Sequence, residues 1–334
     1  MATEMITHVS DPGVRAPIGI IGGSGFYSLF DEARSVDVYT PFGAPSEAPV
    51  VGTVGGSPVA FLPRHGKGHR FAPHRVNYRA NLWALRAIGV RQVIAPCAVG
   101  SLVASQGPGT IVVPDQIIDR TWGRPHTYFE REGEVAHVAF ADPFCPRGRA
   151  AALAAARELQ REEADEHDVV DAGTLVVING PRFSTRAESR WHAAAGGTVV
   201  GMTAMPEATL ARELGLCFTT VCLVTDLDAG FEADAGVTAA EVFAMFADNI
   251  DRVKRIVAGA ATDLAADLAA ELAGATARSD GEASPGVGDH HGGEHGEEHG
   301  GGDHGDDTDP SAVRLPCRCA DALEGMTVPF DLPR

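Results

Sequence analysis

Ile18-Gly19-Ile20-Ile21 runs directly into Gly22-Gly23-Ser24-Gly25, and this junction decides how the chain is read. A short β-branched run that ends in a glycine cluster is the mark of a buried strand delivering a tight turn. Such a turn lets backbone N–H groups approach an anion, and Ser24 adds a hydroxyl donor. The cluster lacks the third glycine of a dinucleotide fingerprint and the lysine of a P-loop, so neither NAD nor ATP is indicated. By itself it is equally a plain turn.

Working outward, Val36–Val38, Val50–Val54 and Val59–Leu62 read as further strands separated by Gly and Pro. His74 to Ile88 has helical apolar spacing and stops before Gly89. Gln92–Ala95, Thr110–Val113, Thr174–Ile178 and Leu216–Val224 read as strands. Helices are expected over Arg147 to Glu163, Ser184–Ala195 (capped by Ser184 or Thr185), Met205–Leu214 and Thr238 to Ala273. Strands alternating with helices predict an α/β fold with a largely parallel or mixed sheet.

Charge is unevenly spread. Of 334 residues, 45 are acidic and 27 basic, for a net −18. Residues 279–310 hold 10 of the acidic residues, five of the 13 His and no Lys or Arg. That window reads as a disordered His/Gly/Asp/Glu-rich insert. The expected organisation is a flexible N-terminus over 1–17, one domain over 18–275, the insert, and a Cys-X-Cys segment over 311–334 that docks on the core. With no basic excess, a nucleic-acid binder working by phosphate neutralisation is excluded. No secretory signal or membrane span is read: Val93–Pro114 is uncharged but broken by Pro96, Gly100, Gly107, Pro108 and Gly109. A cytoplasmic setting is expected. Cys97, Cys145, Cys217 and Cys222 share no spacing and read as buried free thiols.

Several stretches carry candidate chemistry. Arg64-His65-Gly66 closes a strand and suits phosphate or carboxylate. His69 and His74 follow, but no carboxylate or Cys at ligand spacing accompanies them, so no metal site is expected here. Cys97-Ala98-Val99-Gly100-Ser101 ends a strand, where open α/β sheets bind ligands. Gly201-Met202-Thr203-Ala204-Met205-Pro206-Glu207 places a thioether, a hydroxyl and a carboxylate close together. Thr225-Asp226-Leu227-Asp228 puts two carboxylates at i and i+2 after an apolar strand. If the strand pattern continues they project the same way, and crowding raises the pKa of one. A solvated turn is the plainer reading of the same residues.

Together these stretches resemble the trimeric purine nucleoside phosphorylase family, in its S-methyl-5′-thioadenosine phosphorylase branch. The match runs over IGIIGGSG (18–25), TPFGAP (40–45), PRHG (63–66), VNYRANLWAL (76–85), VPDQIIDRT (113–121), GPRFSTRAES (180–189), GMTAMPE (201–207) and TDLD (225–228). The resemblance implies a single-domain phosphorylase fold, a central mixed twisted sheet flanked by helices. It implies that phosphate attacks C1′ of a nucleoside and releases the purine. Phosphate would be held by Ser24, Arg64, His65, Thr203 and the backbone at Ala98. The family commonly has a polar residue such as Thr where this chain has Cys97, and a thiol is the poorer donor.

Met202 would lie against the ribose and Phe183 against the purine. Asp226 and Asp228 would face the base, Asp226 as the acid at N7 and Asp228 orienting it or binding the 6-amino group. Carboxylates accept from that amino group, which favours adenine over 6-oxopurines. Val237, Val242 and Phe243, with Ala239 nearby, would line an apolar slot for the 5′-methylthio group. His137 would reach a neighbour's site across a homotrimer interface. Inorganic phosphate is a co-substrate, and no metal, nicotinamide or flavin is expected. Partners are a nucleoside and phosphate, not nucleic acid or membrane.

The alternative activity is a purine nucleoside or methylthioinosine phosphorylase. An alternative of another class is a metal-binding protein acting through the insert's His residues. Cys317-Arg318-Cys319 is a redox pair, half a metal site or two reduced thiols, the last being preferred.

Overall fold

The computed structural model describes residues 7–23, 30, 33–164, 166–231, 237–279, 317–324, 326 and 328. Ser24, residues 1–6 of the N-terminal arm and the 280–310 part of the insert lie outside the described residues. In chain order the strands are β1 (His8–Val9), β2 (Ile18–Gly22), β3 (Arg34–Ser35), β4 (Val38–Tyr39), β5 (Val50–Val54), β6 (Ser57–Pro63) and β7 (Gln92–Ser101). They continue with β8 (Ile111–Val113), β9 (Gln116–Arg120), β10 (Val169–Asp171), β11 (Thr174–Ile178), β12 (Val199–Gly201) and β13 (Cys217–Leu227). The helices are α1 (Tyr78–Ala87), α2 (Pro146–Glu163), α3 (Arg186–Ala194), α4 (Ala204–Glu213) and α5 (Ala239–Ser279).

Among the described residues eleven strands form one mixed sheet, the expected α/β architecture. Its middle is the parallel set β6, β2, β7 and β13. Successive residues of these strands serve opposite faces, as the two-residue pleat requires. Ile18, Ile20, Phe61 and Ile94 pack with α2 and α5. Ile21, Leu62, Val93 and Ala95 pack with α1 and α4. Both faces are covered, which is why these strands read as unbroken apolar runs.

β7 has two halves, and their difference makes the site. Gln92–Ile94 pair with β2, while Gly100 and Ser101 pair antiparallel with β12. Between them sits Pro96, which has no N–H to give a ladder. The expected strand Gln92–Ala95 therefore runs on through the proline, because β7 has already left β2 there. A crevice opens where the strand changes partner, the usual ligand position in such sheets.

Other boundaries shift for local reasons. The helix expected from His74 begins at Tyr78. Pro73–Arg75 form a separate single turn, Val76 is extended, and the Asn77 side chain caps α1 by accepting from Ala80 N–H at 3.2 Å. Of the two candidate caps for α3, Thr185 takes the role in a reciprocal pair with Glu188. Of the expected strand Val36–Val38 only Val38 is in a strand, β4, while Val36 and Asp37 lie between β3 and β4. The three-residue strands β10 and β12, and β9, have too little pattern to be read from sequence. Among the described residues no helix is long and apolar enough to cross a membrane.

Candidate active site

The crevice holds a cavity of about 340 Å³, within the size range of small-molecule sites. Strand ends, the turns after them and one helix supply its walls: Gly23 after β2, Arg64 and His65 after β6, Cys97–Gly100 on β7, Met202 and Thr203 after β12, Asp226 and Asp228 at the end of β13, and Val242 and Phe243 on α5.

Arg64 is buried where β2 and β7 part. Its guanidinium donates to Ile21 O at 3.1 Å and Pro96 O at 3.2 Å, replacing the ladder bonds that the diverging strands cannot make. It also meets Glu207 twice, Nε to Oε1 at 2.6 Å and Nη2 to Oε2 at 3.1 Å. Burial opposes both charges, but this two-pronged geometry is that of an ion pair. Glu207 and the carbonyls hold Arg64, and hence the last N–H of its fork, at the cavity wall. Glu207 stood in the quoted 201–207 stretch, but its partnership with Arg64 had no sequence signal.

His65 donates Nδ1–H to Phe71 O at 2.8 Å, which leaves Nε2 as an acceptor. Burial, with Arg64 beside it, pushes its pKa down to about 3, so the ring is neutral at pH 7. His69, read only as a neighbour, stacks on it with ring centroids 4.3 Å apart and meets Phe243 edge-on. Thr203 precedes α4 and spends no side-chain bond on capping it. Ala98 adds the backbone of β7. Cys97 turns its sulfur toward Thr220 Oγ1 at 3.5 Å and Cys222 Sγ at 3.6 Å, while still lining the cavity.

The aspartates stand over Gly100. The register of β13 against β7 slips between Val224 and Asp226, a bulge that re-aims the strand end. A Cβ on Gly100 would come within 2.8 Å of Asp226 Oδ1 and 3.2 Å of Asp228 Cβ, so glycine there makes room for both. Burial raises the Asp226 pKa to about 6; the Thr225 hydroxyl, donating at 2.8 Å, lowers it, and Asp228 adds to the rise. Asp228 is 3% exposed, and its Oδ2 has no partner among the described residues. Ser184 Oγ is likewise buried, unpartnered among them and on the cavity wall.

Phe183 and Met202 form apolar walls. Behind them Arg124, which the sequence reading passed over, donates to Asn179 O, Met202 O and Met205 O at 2.6–2.9 Å and fixes both loops. Val242, Phe243 and Ala239 bring the start of α5 to the cavity, with Phe246 added. Two expected residues stand elsewhere. Val237 precedes α5 without lining the cavity, and His137 is exposed on the loop between β9 and α2, away from this chain's own site. A loop position beyond the capping turn is not set by helix periodicity, and a role at a neighbour's site leaves no mark within one chain.

Against known proteins, residues 17–262 match the phosphorylase superfamily. An S-methyl-5′-thioadenosine phosphorylase of Mycolicibacterium smegmatis is 59% identical over 241 residues, 72% of this chain and 88% of that protein. A purine nucleoside phosphorylase of Streptomyces coelicolor is 57% identical over 258 residues, 75% and 90% of the two chains. Among solved structures, a mutant adenosine/methylthioadenosine phosphorylase from Schistosoma mansoni in complex with methylthioadenosine is 40% identical with a TM-score of 0.69. That likeness covers 75% of this chain and 92% of the other.

Proposed function

Because the chain belongs to the phosphorylase superfamily, we propose that it cleaves S-methyl-5′-thioadenosine with inorganic phosphate, giving adenine and 5-methylthioribose-1-phosphate. One observation carries the reading: a single cavity joins a buried Arg–His pair to two acidic side chains across an apolar floor. The curated relatives of that name and the methylthioadenosine-bound structure support it.

Phosphate binds against Arg64, His65, Thr203 and the Ala98 backbone, with the Ser24 hydroxyl. Neutral His65 offers Nε2 as an acceptor, which suits a phosphate oxygen that still carries a proton. Pro96, at Arg64, and Gly100, under the aspartates, are four residues apart on β7, roughly 13 Å at strand spacing. The nucleoside lies between them, the ribose on Met202 and the purine on Phe183. Phosphate charge beneath the sugar stabilises the oxocarbenium-like transition state. As the C1′–N9 bond breaks, protonated Asp226 delivers its proton to N7, and adenine leaves neutral. Asp228 accepts from the 6-amino group. The methylthio group sits against Val242, Phe243 and Ala239. Positioning and electrostatics account for the rate, with no organic cofactor taking part.

The protein is further read as a cytoplasmic homotrimer whose sites are completed between subunits, His137 contributing to the neighbour's 5′ pocket. The insert, on this reading, is a spacer.

Base release from methylthioadenosine, adenosine and inosine, each with and without phosphate, tests the proposal. Strict dependence on phosphate, with methylthioadenosine preferred, is expected. Release without phosphate points to a hydrolase. Preference for inosine favours the purine nucleoside phosphorylase reading, which the Streptomyces relative keeps in view.

A further inference from the structure

Four sulfurs that the proposed reaction leaves unused meet at the opposite end of β13. Cys145 is the N-cap of α2 and Cys217 opens β13, while Cys317 and Cys319 come from the segment beyond the insert. Their Sγ atoms all lie within 4.8 Å of one another. Cys145, Cys217 and Cys319 are buried, Cys317 is partly so, and none is in a disulfide.

The arrangement is that of a shared centre. Cys317 Sγ stands 3.4 Å from Cys145 Sγ and 3.3 Å from Cys217 Sγ, almost equally near both. A disulfide joins one sulfur to one other. Four thiolates at about 2.3 Å from a single ion stand about 3.8 Å from each other, so a tetrahedral ion satisfies all four with small adjustments. Left as neutral thiols, they offer one another only weak S–H donors.

The surroundings suit thiolate charge. The Cys319 backbone N–H donates to Cys317 Sγ at 3.4 Å, the type of contact that orients a metal ligand. Cys145 sits at the positive end of the 18-residue α2. Arg147, in the first turn of α2, keeps a buried Nε with no partner among the described residues.

We propose that Cys145, Cys217, Cys317 and Cys319 form a structural zinc site. Thiolate-only tetrahedral ligation selects zinc among the common divalent ions, and all four positions are filled by protein, which leaves none for substrate. Zinc entry displaces the thiol protons to solvent and forms four Zn–S bonds. Asp226 lies nine residues along β13 from Cys217, roughly 30 Å, so the ion takes no part in the reaction. Its role is to tie the chain beyond the insert to α2 and β13. That segment already packs closely: a Cβ on Gly215, whose φ is +64°, would meet Ala320 O at 3.3 Å, and Leu323 and Val328 rest on the core.

The test is metal analysis of the untagged full-length chain, purified under reductant and dialysed against a weak chelator. About one zinc per chain is expected. A variant lacking residues 280–310 keeps it, which separates the cysteines from the insert's five His. The double variant Cys317→Ser/Cys319→Ser loses the zinc and melts several degrees lower. Cobalt substitution of the wild-type chain, which needs no variant to fold, gives thiolate-to-cobalt charge-transfer absorption. A metal-free chain whose four thiols alkylate without reductant overturns the proposal. So does the recovery of these cysteines as disulfides, iron in place of zinc, or zinc that leaves with the insert.

Discussion

Arg64 and Glu207, 143 residues apart in the chain, meet through contacts of 2.6 and 3.1 Å, and neither is more than 2% exposed. The pair spans β6 and α4, and it sets the guanidinium in the gap between β2 and β7. Removing one partner strands a buried charge. Glu207→Ala is expected to destabilise the fold by about 3–5 kcal/mol, read by denaturant unfolding. Glu207→Gln keeps the shape and lets the fork wander, so KM for phosphate rises by roughly 10-fold or more while that for the nucleoside moves little.

Asp226 must be protonated to act as the acid, and its pKa stands near 6. Above pH 6, kcat/KM for methylthioadenosine should fall about tenfold per pH unit until another group intervenes. Asp226→Asn should lower kcat by about 10²–10⁴-fold and flatten that limb of the profile. Stability should fall over the same pH range. A carboxyl whose folded pKa is raised contributes stability below its unfolded pKa near 4, and that contribution is lost as pH rises through about 6. The asparagine variant, which has no such proton to lose, should thus be more stable than wild type at pH 7, by at most about 3 kcal/mol.

His65 has the opposite linkage. Its folded pKa of about 3 lies below the ordinary 6.5, because burial and Arg64 exclude the cation. The unfolded chain binds that proton first, so stability present above about pH 6.5 is lost progressively as pH falls toward 3. His65→Gln should flatten this acid limb in urea midpoints measured from pH 7 to pH 4. A midpoint that is independent of pH in the wild-type chain would contradict a neutral buried His65.

Asp228 presents a buried oxygen with no partner among the described residues. An asparagine there offers a donor to a 6-oxo group. Asp228→Asn should shift the ratio of kcat/KM for methylthioadenosine over methylthioinosine by roughly 10–100-fold toward the oxopurine. An unchanged ratio would place base recognition elsewhere in the cavity.

Gly100 has an ordinary backbone, so only contact forbids a side chain. Gly100→Ala should keep the fold, since the clash is with side-chain atoms of Asp226 and Asp228. Displacing those carboxyl groups by about 1 Å should lower kcat by about 10²-fold, with circular dichroism and oligomer size unchanged.

What the sequence determined alone is the local chemistry. Ile18–Gly22, Val50–Val54 and Thr174–Ile178 stand as strands where their β-branched runs place them. Arg64 and His65 follow β6, and Asp226 and Asp228 stand at the end of β13, so these parallel strands bring them to one end of the sheet, where Thr203 joins them from the turn after β12. Only the tertiary structure decided what fills the break beside Pro96, which carboxylate holds Arg64, and that Gly100 must be bare for the aspartates to stand over it. It also gathered Cys145 and Cys217 around a Cys-X-Cys pair about 100 residues or more downstream. The physical reason is one of range. Hydrophobic period and turn chemistry are written in neighbouring residues, whereas these contacts depend on strand order, which no local pattern encodes.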